Sequence, residues 1–177
     1  MKKIFLAVIA LITLIACDKK ETVEGANVHI TGNVEGLSQG KLYLQKIEDT
    51  TLVIIDSIQI NGDSKFESHI KLDSPEMLYL ALDRGQTNSI DNSLPFFAEP
   101  GNITIETTLK HFFADAKVKG SKNHDLWIEF KKINDRFNDE NLVLMEKRLQ
   151  NELKPNPTTT DSIETAYEKL LKRKYRY

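Results

Sequence analysis

The chain holds one sulfur nucleophile, Cys17. Thiol–disulfide exchange needs an attacking thiolate and usually a resolving thiol, often arranged as Cys-x-x-Cys. A lone cysteine gives neither that pair nor an intrachain disulfide. The four histidines are His29, His69, His111 and His124. None stands in a His-x-x-x-His spacing or a Cys/His cluster, so no metal site is expected. His29 and His69 fall on predicted strands, with their rings toward solvent. No Gly-x-Ser-x-Gly elbow, Gly-x-Gly-x-x-Gly or P-loop occurs, so nothing points to a serine hydrolase or a nucleotide cofactor. No catalytic residue and no cofactor are expected.

Aromatic residues offer a different chemistry. In "PFFAEPGNITIE" (Pro95 to Glu106), Phe96 and Phe97 could line a groove beside Glu99. Neighbouring strand residues face opposite sides, so one ring is expected in the core and the other outside. Trp127, Phe130 and Phe137 follow on a predicted helix and are expected to cover an open face of the strands. The candidate interaction surface is therefore Phe97, Glu99 and Trp127. Lys172, Arg173, Lys174 and Arg176 are expected to form a solvated helix end.

The position of Cys17 explains why there is only one. Lys2 and Lys3 precede an apolar run from Ile4 to Ile15, too short to span a bilayer comfortably and laid out like a secretory signal. Leu14-Ile15-Ala16-Cys17 resembles a bacterial lipobox. That resemblance implies cleavage before Cys17, acylation of its thiol and anchoring to the inner or outer membrane of a cell envelope, with the domain in the periplasm. Several acyl chains hold a membrane far more firmly than one. Residues 1–16 are then the signal peptide and 17–25 a polar, lipidated tether. Losing Lys2 and Lys3 takes the formal net charge from −2 to −4. Mild acidity without a basic stripe argues against a nucleic-acid partner.

The elements that would carry these side chains divide into two parts. Between residues 26 and 120 the apolar period is mostly two. Val28, Ile30 and Val34 share a face, Phe66 and Ile70 point inward with small Ser68 between them, and Asn61-Gly62 is the strongest hairpin signal. Seven or eight strands with turn signals between them predict an antiparallel β-sandwich. From residue 121 to 177 the period becomes helical. Ser121 is the expected N-cap. Leu126, Phe130, Ile133 and Phe137 form one stripe, and "NDEN" (Asn138 to Asn141) shifts its phase, giving one kinked helix or two. Pro155 and Pro157 stop it, and Asp161-Ser162-Ile163-Glu164 resembles a capping box opening the last helix. The fold class is mainly β with C-terminal α, the sandwich being followed by two or three helices.

Five phrases, "ITGNVEGLSQGKLYLQK", "DSIQINGDSKFES", "SPEMLYLAL", "PFFAEPGNITIE" and "VKGSKNHDLW", occur in an order that resembles a domain-of-unknown-function family of bacterial lipoproteins. The resemblance covers about Val28 to Trp127. It implies a β-sandwich, and a family setting in which that domain often precedes a thioredoxin-like domain of the AhpC/TSA or TlpA type. No redox residue carries over, because the chain lacks the cysteines that the chemistry requires. The expected function is a lipid-anchored, non-catalytic binding or positioning module, partnered by the membrane and an envelope protein. The alternative is the N-terminal region of a thiol-disulfide oxidoreductase whose thioredoxin-like domain lies beyond residue 177.

Overall fold

The computed structural model describes residues 24–85 and 89–176. Cys17, the signal segment and all but the last two tether residues lie outside the described residues. Eight strands come first: β1 (Val28–Glu35), β2 (Gln39–Glu48), β3 (Thr51–Asn61), β4 (Lys65–Ile70), β5 (Glu76–Leu82), β6 (Ser93–Ala98), β7 (Gly101–Thr108) and β8 (Lys117–Lys119). Two helices follow, α1 (Lys122–Leu153) and α2 (Pro157–Lys174).

The strands form two four-stranded sheets, ordered β4-β1-β7-β8 and β3-β2-β5-β6. Alternation decides which side chains meet between them. Ile30 of β1, Leu44 of β2, Leu80 of β5, Phe96 of β6 and Ile105 of β7 are all fully buried. Each fully buried Leu, Ile or Phe removes apolar surface worth about 1.5–3 kcal/mol. Phe66, Ser68 and Ile70 face inward together, as the small serine led one to expect. Gly32 in β1 is required by close approach: a Cβ there would lie 2.1 Å from the carbonyl oxygen of Ile105 and 2.5 Å from the Phe66 ring. Phe112, in the turn before β8, is also fully buried, and Thr107 Oγ1 donates to its carbonyl at 2.6 Å.

The pairing differs from expectation in two places. β1 and β7 run parallel, Val28 beside Gly101 through Glu35 beside Thr108, while the other pairs are antiparallel. Asn61-Gly62 does not close a hairpin, because β3 and β4 belong to different sheets. Gly62, at φ +91°, donates its N–H to the Ser38 carbonyl at 2.7 Å and carries the chain from one sheet to the other. The hairpin proper joins β2 to β3, with Asp49 at φ +55° in its turn. A register shift at Leu44/Gln45 re-aims the outer half of that hairpin. Beyond it Ile47, Leu52 and Ile54 are exposed instead of buried.

The helical part is simpler than expected. Asn138 to Asn141 do not interrupt α1, which runs 32 residues, about 48 Å at 1.5 Å per residue. The four residues include neither glycine nor proline, Glu140 favours helix, and the weak helix propensity of Asn138, Asp139 and Asn141 costs too little to break a long helix. The last helix starts before Asp161. Asn156 caps it, its side chain accepting from the N–H groups of Thr158 and Thr159, and Pro157 takes the first position, where no donor is needed. Phe137 packs beneath α2 instead of the sandwich, with Arg136 and Arg173 over its ring; it and Leu170 are the residues of the helix pair with apolar side chains that are fully buried. No helix among the described residues is long and apolar enough to cross a membrane.

Candidate functional site

The first site is the joint between sandwich and helices. The first three N–H groups of α1 point backward without intrahelical partners. Glu99, just after β6, takes two of them: Oε1 accepts from Lys122 N at 2.6 Å and Oε2 from Asn123 N at 3.4 Å. The Asn123 side-chain amide also donates to Oε2. Ser121 takes the third, its Oγ accepting from His124 N at 3.0 Å. A carboxylate is favoured at the positive end of a helix. The Lys122 N–H, followed by the Asn123 side chain, holds the Glu99 carboxyl below the usual carboxylate range. Just before the cap, Gly120 at φ +93° lets the backbone press against β7; a Cβ there would lie 2.0 Å from the Asn102 carbonyl oxygen.

Rings close the joint. Phe96 enters the core and Phe97 emerges, as strand alternation required. Phe97 and Trp127 meet edge to face, centroids 6.2 Å apart at 71°. Trp127 also touches His124, centroids 5.5 Å apart. His124 is buried, and its Nδ1 has no hydrogen-bond partner. Burial pushes its pKa below the ordinary value, against a smaller opposing pull from Asp125. The structure thus brings Phe97, Glu99 and Trp127 together. Glu99 is committed to capping, and the two rings are half-buried against each other.

Beyond the joint, α1 is unevenly covered. Phe130 is 65% exposed and Leu149 62%. Leu126, Leu142, Met145 and Leu153 are exposed as well. A groove of about 600 Å³ between the helices is lined by Leu144, Met145, Ile163 and Tyr167 among others.

The second site was not visible in the sequence. His29 on β1 and His69 on β4 are direct cross-strand partners on the outer face of their sheet. Their Nδ1 atoms lie 2.6 Å apart, and the rings meet at 71°. Glu67 Oε1 sits 2.7 Å from His69 Nε2. The two histidines stand 40 residues apart in sequence, so no spacing rule could have joined them. Only the β1–β4 register does so. His111 lies apart, exposed beside Asp115. No group of three or more His, Cys, Asp or Glu is placed to hold a metal among the described residues.

Residues 28–127 match a protein family described as a domain of unknown function, DUF4369. No curated protein matches the chain. Among solved structures, the crystal structure of (S)-allantoin synthase is similar at 8% sequence identity and a TM-score of 0.34. That likeness covers 54% of this chain and 44% of the other. The chain therefore spans under half the length of that structure, and so low a score carries no argument about function.

Proposed function

We propose, for a chain that belongs to the DUF4369 family, the role of a lipid-anchored cell-envelope module that binds or positions a partner and does no chemistry of its own. The carrying observation is mechanical. Glu99 ties the start of α1 to the sandwich and Ser121 caps it, while Leu142, Leu149 and Leu153 farther along, which helical spacing puts on one face, stay uncovered. A held helix with a bare apolar stripe is suited to presenting that stripe to another surface. The anchoring half of the reading rests on Leu14-Ile15-Ala16 preceding Cys17. It puts the sandwich in the periplasm, tethered to the inner or outer membrane.

The same stripe favours a second reading, in which this region begins a membrane-anchored thiol-disulfide oxidoreductase. There a thioredoxin-like domain beyond residue 177 would cover the helices. Two measurements test these readings. Cys17→Ser should abolish palmitate labelling and release the chain from the membrane fraction; unchanged labelling and fractionation reject the anchor. Photo-crosslinkers at Leu142 and Leu149, placed in the chain as expressed in its own cell, should trap a discrete protein adduct. Failure at both positions, with a control crosslinker active elsewhere, rejects the positioning role. A crosslink within one longer polypeptide carrying Cys-x-x-Cys selects the second reading.

A further inference from the structure

We propose that His29 and His69 form a binding site for a late first-row divalent cation, copper(II) in preference to zinc(II). Three observations carry the inference. First, the two imidazole Nδ1 atoms already face one another at 2.6 Å across the β1–β4 ladder. Second, the Glu67 carboxylate lies 2.7 Å from the far nitrogen of His69, Nε2. A carboxylate accepting from that N–H fixes the tautomer and leaves the lone pair on Nδ1. His29 then supplies the single proton between the rings. Third, both rings are only half-buried, so a hydrated cation can reach them and keep water at its other positions.

Geometry decides between metals. At 2.0–2.1 Å from each nitrogen, a tetrahedral zinc would need the two atoms about 3.3 Å apart. Adjacent corners of a square-planar copper(II) site need only about 2.9 Å. The observed 2.6 Å must therefore open by about 0.3 Å for copper and about twice that for zinc. Paired β-strands resist the larger change more. The Irving–Williams order favours the same metal. Binding moves the shared proton of His29 from Nδ1 to its own Nε2. That proton stays on the same ring, so the step balances without releasing one.

The test uses the purified, chelator-stripped full-length chain in non-ionic detergent, titrated with copper(II) against glycine as competitor. One equivalent should bind, with an electron paramagnetic resonance spectrum split by two nitrogens. His29→Ala and His69→Ala should each weaken it by at least about tenfold. Glu67→Gln should weaken it by about tenfold, the low end for an orienting carboxylate. Zinc(II) should bind more weakly than copper(II). A second measurement needs no variant: substoichiometric copper(II) should broaden the ring proton resonances of His29 and His69 first, and those of exposed His111 later. Equal affinity and spectrum in the doubly substituted chain, or broadening confined to His111, overturns the proposal.

Discussion

Ser121→Ala isolates one bond of the joint. The serine is 1% exposed, and its Oγ is the partner of the His124 N–H at 3.0 Å. Alanine at an N-cap ordinarily costs about 1 kcal/mol, within a range of about 0.5–2. Exposed caps sit at the low end because water replaces the lost oxygen. Here water has little access, so the donor is left unmade at a cost of about 1–3 kcal/mol. The expected loss is therefore about 2 kcal/mol. With a urea dependence of about 2 kcal/mol per molar, the midpoint should fall by about 1 M. Equilibrium urea unfolding, followed by far-ultraviolet circular dichroism and by Trp127 fluorescence, measures it. Ser121→Gly provides the discriminating control. At a hydrated cap glycine costs only a few tenths of a kcal/mol, whereas here it should match alanine because it too leaves the donor unpaired. A loss under about 0.5 kcal/mol in Ser121→Ala, or a near-native glycine variant, would refute the idea that a dry hydrogen bond holds the helix.

Gly120→Ala should destabilise by about 3 kcal/mol, since its Cβ would meet the Asn102 carbonyl at 2.0 Å and its φ is +93°; a Tm within about 2 °C of wild type, on a scale of about 2–4 °C per kcal/mol, contradicts this. Stability should also fall with acid through His124. Its folded pKa lies below the ordinary 6.5, so the folded state binds fewer protons there than the unfolded one. Its contribution is complete above that pH and is lost as pH drops below it. Glu99, also shifted down from 4.5, adds a second decline in the same direction at lower pH. Urea midpoints between pH 5 and 7.5 should drop on acidification in wild type and less in His124→Gln; parallel slopes would show that His124 is not responsible.

What could be read from the sequence was whatever alternation alone decides. Val28, Ile30 and Val34 share a face because period two admits no other arrangement of three β-branched residues in a strand. Phe96 and Phe97 likewise had to part company. Turn chemistry was less informative. Asn61-Gly62 carries the conformational freedom of a hairpin, but nothing in two residues says whether the strands on either side join one sheet or two. The Asp161 capping box lost to Asn156-Pro157 because a cap is chosen by where the chain leaves the preceding helix, and Leu153 ends α1 only three residues earlier. Phe97, Glu99 and Trp127 were identifiable as residues that do not belong wholly to a core. That Glu99 would cap a helix 23 residues later depends on tertiary placement. His29 and His69 were each legible as strand histidines facing outward; their meeting depends on the β1–β4 register.

The parallel seam between β1 and β7 sets an order of assembly. The sheet of β2, β3, β5 and β6 draws on residues 39–98 alone. The other sheet lacks its middle until β7 arrives, because every rung joins residues offset by 73 positions, Val28 to Gly101 through Glu35 to Thr108. Until β7 docks, the first strand pairs on one side only, with β4. An unpaired edge of Val28, Ile30 and Val34 is open to self-association during that interval. Distant pairing is also the slow kind. Closure of this seam is therefore the step at which a folding chain is most exposed to a wrong partner, and the one most dependent on the whole sandwich being present.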